Sequence, residues 1–297
     1  MPDTRATVPE TAIVKAPCKI NLNLAITGVR PDGYHELDTL FYPVGNPSDV
    51  LEFGPGARGS GLSFSCDDPA LENSDNLVVK AYRRFAEASA FAPDISVRLL
   101  KNIPYGSGLG GASSDAAALL IRLNAQAGEK ALSPESLTEL AASLGADVAF
   151  FLRAVPARAA GIGEILIPEA VNLSGLTLCI ACPNIRVSTA EAYRDYDRRM
   201  KKGAETANES LTRGIGKNTR CVCVTIAPLF NSFERVVFAT RPELRRLKET
   251  LYAAGAAAAA MSGSGSAIFG LYRDYDKAFG ASAALGKKHV RTYLSRL

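Results

Sequence analysis

The segment Pro104-Tyr-Gly-Ser-Gly-Leu-Gly-Gly-Ala-Ser-Ser-Asp115 carries the most chemical information in this chain of 297 residues. Four glycines fall within positions 106–111, and two hydroxyls, Ser113 and Ser114, follow them. Glycines let backbone N–H groups approach an anion closely, and a helix starting there adds its partial positive charge. The serines can donate to phosphate oxygens or help hold a magnesium ion. Phosphate binding is the chemistry this pattern suits, although a lone glycine cluster can also be an ordinary turn. Gly106-x-Gly108-x-x-Gly111 also satisfies the dinucleotide fingerprint. That fold needs a second strand ending in an acidic residue about 20 residues on, whereas Gly128 to Gly145 reads as a turn and a helix. Gly106 and Gly111 have P-loop spacing, but Ala112 stands where that motif needs Lys.

Two charged residues stand out in apolar surroundings. Asp147 lies within Leu144-Gly-Ala-Asp-Val-Ala-Phe-Phe151, where a carboxylate is costly without a partner or a task. It reads either as a capping or ion-pair residue or as a working acid–base group. Lys19 interrupts an apolar strand, and lysine is rarely buried unless paired. It can snorkel from a strand edge, or its ammonium can hold Asp147 ionised and stabilise developing negative charge. Histidine is scarce, at His35 and His289, which leaves little material for a His triad or a multi-His metal centre. Of the six cysteines, Cys179-Ile-Ala-Cys182 has zinc-like spacing but lies in the apolar run Leu176 to Cys182. A buried strand with two small hydrophobic thiols is the expectation there, and no metal ligand is assigned. Cys221 and Cys223 would share one face of another strand.

The elements that must position these groups follow from periodicity and turn chemistry. Residues 1–10 look frayed. Thr11 to Pro17 and Asn21 to Thr27 read as two strands, followed by a turn at Gly28-Val-Arg-Pro-Asp-Gly33 and a return strand from His35 to Tyr42. Short strands follow near 50–53 and 62–66. A helix is expected from about Asp75, with Leu77, Val78, Ala81, Tyr82 and Phe85 on one face. Ile95 to Leu100 alternates as a strand, and a helix runs from about 112 to 127, directly after the glycine loop. Ser133-Pro134-Glu135 starts a capped helix that Gly145 ends. Capping boxes at Ser188 to Glu191 and Thr240 to Glu243 open two more helices, the first reaching about Tyr196 and the second Ala254. Residues 199–219 are polar and basic, the best candidate for a mobile stretch. Ala256 to Ala260 sits between a helix stop and Ser262-Gly-Ser-Gly265, where a buried strand is at least as good a reading as a helix.

Composition limits the class. With 22% charged and 47% hydrophobic residues, the chain can build a large core and is not a disordered one. Thirty-four basic residues face 30 acidic ones, and a net charge of +4 without clustering is poor support for a nucleic-acid partner. No apolar run approaches the roughly 20 residues that span a bilayer, and residues 1–10 lack the apolar core of a secretory signal. A cytoplasmic α+β enzyme is expected, with no membrane partner.

The glycine loop resembles the phosphate loop of the GHMP kinases, the superfamily of galactokinase, homoserine, mevalonate and phosphomevalonate kinases. Three further segments resemble one branch of it: Ala16-Pro-Cys-Lys-Ile-Asn-Leu22 with Gly28 to Glu36, Leu144 to Phe151, and Met261-Ser-Gly-Ser-Gly-Ser266. The resemblance covers nearly the whole chain. It implies a two-lobed fold, with an N-terminal ribosomal-protein-S5-like lobe and a C-terminal ferredoxin-like lobe. Residues 1–168 would form a kinase domain carrying the phosphate loop and catalytic groups, and residues 169–297 a second domain completing the substrate cleft. It implies ATP-dependent phosphorylation of the 2-hydroxyl of a cytidine diphosphate methylerythritol, in non-mevalonate isoprenoid precursor synthesis, with Mg2+ accompanying ATP. Asp147 becomes the base that takes the hydroxyl proton, and Lys19 its catalytic partner. ATP contacts fall to Pro104, Tyr105, Gly106, Ser107, Gly108, Leu109, Gly110, Gly111, Ala112, Ser113 and Ser114. Substrate contacts fall to Asn21, Tyr34, His35, Thr189, Tyr193, Gly263, Ser264 and Gly265, with His35 on the cytosine edge and Tyr193 on a face of the ring. Gly161-Ile-Gly-Glu164 matches a family segment without yielding a role for Glu164. Cys18 departs from the usual Ala and Ala149 from the usual Pro, and neither removes a functional group.

Overall fold

A computed structural model describes residues 11–201, 222–223 and 229–297. Residues 1–10, Cys221 and the stretch 202–219 of the polar segment lie outside the described residues. In chain order the first elements are β1 (Ala12–Val29), β2 (His35–Pro55), β3 (Leu62–Cys66), α1 (Leu77–Ser89) and β4 (Ile95–Leu100). Next come α2 (Gly111–Gln126), α3 (Pro134–Leu144), α4 (Ala146–Phe151), β5 (Ala157–Ala160), β6 (Ile165–Pro168) and β7 (Val171–Asn172). The remainder is β8 (Thr177–Cys182), α5 (Thr189–Lys201), β9 (Val222–Cys223), α6 (Glu234–Thr240) and α7 (Pro242–Ala253). It closes with β10 (Ala258–Met261), β11 (Ile268–Tyr272), α8 (Tyr275–Gly286) and β12 (Arg291–Arg296). Among the described residues, no helix is long and apolar enough to cross a membrane.

These elements pack as two compact units, each assembled from separate stretches of chain. The first takes the described residues up to Cys18, then Pro47–Ile103 and Gly110–Ala154. Its last part of β2 pairs antiparallel with β4, Val50 opposite Leu100, and β4 pairs parallel with β3, Leu62 opposite Ile95. The alternation read in β4 is real, with Ile95, Val97 and Leu99 all buried. Helix α1 buries Val78, Ala81, Tyr82 and Phe85 and packs on α2 and α3, while α4 packs on the same two helices. Leu77, expected on that face, is only half-buried, and Asn76 caps the helix by accepting from Val78 N. Ser133 caps α3 by accepting from Ser136 N, with Pro134 following it and Gly145 closing the helix as read.

The second unit takes Lys19–Asn46, Pro104–Leu109 and the described residues from Val155 onward. Its four-stranded sheet has the order β10-β11-β8-β12, antiparallel throughout. With helices between β8 and β10 and between β11 and β12, this is a ferredoxin-like arrangement. Every residue of β8 is buried. Cys179 and Cys182 lie three apart on that strand and so face opposite ways, which no shared metal can use. Burial pushes both thiols up to about 12.

Four sequence readings give way to tertiary context. The two amino-terminal strands are a single strand, β1, because the charge that seemed to interrupt it, Lys19, is paired inside the unit. The strand expected near 50–53 is the end of β2, which stays extended through Gly45-Asn-Pro-Ser48. Asn46 is held there by β12: its Nδ2 donates to Leu294 O at 2.8 Å, and its carbonyl accepts from Ser295 Oγ at 3.1 Å. Thr240 is no cap. It ends α6, with its hydroxyl turned back to Val236 O and Val237 O, and α7 starts at Pro242 without a side-chain cap. Helix α5 also runs past Tyr196, to Lys201.

Candidate active site

In the second unit, a polar chain runs from β1 to the glycine loop and the turn after β10. Lys19 is 4% exposed, and its Nζ donates to Asn21 Oδ1 at 2.7 Å while lying 4.8 Å from the centroid of the Phe41 ring. Strand period 2 puts Lys19 and Asn21 on one face, so the pairing follows from local geometry. Asn21 Nδ2 donates to Thr39 Oγ1 at 2.8 Å, and Thr39 in turn donates to Asn23 O at 2.6 Å. Ser262 Oγ accepts from Asn21 N at 3.3 Å and donates to Gly108 O at 3.0 Å. Lys19 N also donates to Leu109 O at 2.9 Å. The ammonium is thus immobilised beside the first half of the glycine loop.

That loop needs its glycines. Gly106, Gly108 and Gly110 have φ of +68°, +79° and +75°, the left-handed region. At Gly108 a Cβ would also run into the Ser262 carbonyl. Ser107 O accepts from Ala267 N, fastening the loop to the segment between β10 and β11. Tyr105 is exposed, while Ser107 and Leu109 are buried. The turn after β10 is built in the same way, with Gly263 at φ +57° and Gly265 at φ +93°. Asn231 Nδ2 holds it by donating to Met261 O and Gly263 O, at 2.7 and 2.8 Å. Ser264 Oγ lies 2.8 Å from Thr189 Oγ1 at the start of α5.

The hairpin end carries the expected base-binding residues. Tyr34 is 61% exposed, its backbone held by Asp32 and Arg30. His35 is buried, with its ring stacked on Tyr193 at 4.5 Å between centroids and edge-on to Tyr196. Its Nε2 lies 2.7 Å from Asp197 Oδ1. Glu164 acquires a place here: it folds over Gly161, and its Oε1 lies 3.9 Å from Arg30 Nη1, bracing the turn that presents Tyr34.

In the first unit, α2 begins at Gly111 with Gly110 as its cap and no side-chain capping bond, leaving its first N–H groups to an outside partner. Ser113 is half-buried, and Ser114 is buried with an Oγ that has no hydrogen-bond partner among the described residues. Asp147 sits in the first turn of α4, half-buried, with Val148, Ala149, Phe150 and Phe151 behind it in the core. Beside Gly111, in the same unit, lies a charged cluster that the sequence did not suggest. Lys101 Nζ bonds Asp49 and, at 2.8 Å, Asp115, and Asp49 also accepts from the backbone of Asn102 and Ile103. Two carboxylates share one ammonium. Burial above all, against the pull of Lys101 and aided by repulsion from Asp49, pushes Asp115 up to about 7. Burial opposes the charge on Lys101, but its two carboxylates win and raise it.

Residues 76–154 match the GHMP kinases N terminal domain, and residues 224–291 match the GHMP kinases C terminal family. The chain is 48% identical over 292 residues to a 4-diphosphocytidyl-2-C-methyl-D-erythritol kinase of Solidesulfovibrio magneticus, covering 97% of each. The chain belongs to the GHMP kinase family. A relative of the same name from Nitratidesulfovibrio vulgaris strain DP4 is 44% identical, with 96% of this chain and 98% of that one aligned. The crystal structure of a 4-(cytidine 5′-diphospho)-2C-methyl-D-erythritol kinase matches with a TM-score of 0.76 at 34% identity, over 96% of this chain and 99% of that one. A homoserine kinase from Cytophaga hutchinsonii shares the fold alone, with a TM-score of 0.68 at 18% identity.

As a GHMP kinase the chain is a phosphotransferase of α+β fold, as the glycine loop and flanking segments led us to expect. Sequence reasoning missed Thr39, Phe41, Asn231 and Ser262 as supports of the site, and Asp197 as the partner of His35. Only Asp197 left a readable signal: it lies four residues after Tyr193 on the same helix, hence on the same face.

Proposed function

We propose that this chain transfers the γ-phosphoryl group of ATP to the 2-hydroxyl of 4-diphosphocytidyl-2-C-methyl-D-erythritol, giving the 2-phosphate and ADP in non-mevalonate isoprenoid precursor synthesis. The near-full-length identity of 48% to a kinase of that name carries this reading. Residues 1–168 then act as the kinase domain with the phosphate loop and catalytic groups, and 169–297 as the domain completing the substrate site. The two family matches fall on either side of that division. The enzyme works in the cytoplasm, with no nucleic-acid or membrane partner.

Phosphoryl transfer asks mainly for positioning and for positive charge on the moving group. The loop from Pro104 to Ser114 cradles the ATP phosphates with backbone N–H groups, and the uncapped start of α2 adds its dipole. Asp147 takes the proton from the acceptor hydroxyl as the new O–P bond forms, and ADP leaves. Lys19, fixed by Asn21, orients that hydroxyl and offsets negative charge on the phosphoryl oxygens. Bound with ATP, Mg2+ would offset the negative charge of its phosphates. The unpartnered buried Ser114 Oγ is an oxygen donor of the hard type that ion prefers, and no cluster of three or more His, Cys, Asp and Glu side chains among the described residues would hold it alone. Tyr34, His35 and Tyr193 hold the cytidine, while Thr189, Gly263, Ser264 and Gly265 line its polyol side.

The test is turnover. Incubated with labelled ATP and the cytidyl-methylerythritol, the protein should label that substrate and release ADP, and other small alcohols should remain unlabelled. Asp147→Asn should lose at least about a hundredfold in kcat while ATP affinity is kept. Equal labelling of homoserine or mevalonate would refute the substrate assignment.

A further inference from the structure

The pair formed by His35 and Asp197 offers more than a structural contact. Helix α5 presents Tyr193, Tyr196 and Asp197 to the imidazole on one face, stacking on it, meeting it edge-on and bonding its Nε2. The ring therefore cannot turn freely. An ionised carboxylate only accepts hydrogen bonds, so the hydrogen of the pair sits on Nε2. Which nitrogen of an imidazole carries the proton is set by the bond the other one makes. In the neutral ring, Nδ1 is then the lone-pair acceptor.

Such an acceptor discriminates between pyrimidines. Cytosine presents an exocyclic amine as a donor where uracil presents a carbonyl oxygen. An acceptor nitrogen pairs with the first and repels the second. We propose that Asp197 is a positioning residue that fixes the tautomer of His35, so that Nδ1 accepts from the cytosine amine and rejects uridine-containing analogues. The inference rests on His35 being a cytidine-binding residue. It goes beyond that reading by assigning the selectivity to a carboxylate that never touches the base.

The chain has two histidines, so 15N-labelled full-length protein gives two sets of imidazole signals, which His289→Asn assigns. The expected result is that wild-type His35 carries its proton on Nε2 and that CDP perturbs its Nδ1. CDP should bind at least about a hundredfold more tightly than UDP. Asp197→Ala, at a 39% exposed side chain on a helix, should keep the fold. It should mix the tautomers and reduce the preference to less than about tenfold. KM for the cytidine substrate should rise about tenfold, with kcat nearly unchanged. A proton on Nδ1 in the wild type would overturn the inference, as would Asp197→Ala retaining both tautomer and preference. If CDP leaves the His35 signals unmoved while the cytidine substrate is still phosphorylated, then His35 does not read the base. That outcome removes the premise rather than the tautomer argument alone.

Discussion

Lys19 illustrates how a buried cation is kept both tolerable and usable. Its charge meets the Asn21 carbonyl oxygen and the face of the Phe41 ring, which fix the ammonium on the buried face of β1. Asn21→Ala removes that acceptor and takes the amide donor from Thr39 Oγ1. We expect kcat to fall about tenfold or more with ATP affinity unchanged, as measured by steady-state kinetics beside nucleotide titration. Gly108→Ala should be worse for stability than an exposed loop substitution. It forces a left-handed φ on a residue with a Cβ and drives that atom into the Ser262 carbonyl. A loss of about 1–3 kcal/mol should appear in urea unfolding. At this scale the glycines, Lys19 and Asp147 were legible because each broke a local rule of composition or burial. Thr39, Asn231 and Ser262 break none. Ordinary polar residues become supports only through partners distant in sequence, as Ser262 does with Asn21, 241 positions away.

Helix ends show which element boundaries a sequence can state. Ser133 and Thr240 carry similar local signals, a hydroxyl ahead of Pro and Glu, yet only Ser133 caps a helix. Thr240 is still inside α6, where its hydroxyl finds the carbonyls one turn back before α7 begins. Ser133→Ala should therefore cost about 1 kcal/mol, and Thr240→Ala should cost clearly less than that. Thermal or urea denaturation of both variants decides the matter, and equal losses would contradict the assignment. The alternating strand β4, the amphipathic α1 and the Pro–Gly bounded α3 were readable because their periodicity and caps are local. The length of β2 was not, since Asn46 and Pro47 look like a break until β12 supplies the bonds that keep the chain extended. The same holds for α4, whose six residues are too few to show a period.

Across the whole molecule, stability should carry a pH signature from the cluster of Lys101, Asp49 and Asp115. Asp49 has two backbone donors as well as Lys101, whereas Asp115 has Lys101 and one bare oxygen, so Asp115 is the carboxylate that retains a proton. Its folded value, about 7, lies above its ordinary 3.8, so the folded state binds more protons than the unfolded chain between those limits. Stability should thus decline as pH rises through that window. Lys101, raised above 10.5, stays charged throughout it and adds no slope. Asp115→Asn should flatten the decline, as seen in urea midpoints from about pH 5 to 8. The division of the chain into two units also bears on how the protein is made. The hairpin of β1 and β2 emerges early, but its bonds run to residues far downstream, with Phe230 N donating to Asn23 Oδ1 across 207 positions and Ser232 N donating to Leu24 O. At about 5–20 residues per second, a ribosome needs on the order of ten to forty seconds to deliver those partners. During that interval the strand that carries Lys19 has no finished unit to join, so nascent chains halted before residue 230 should be chaperone clients rather than stable fragments.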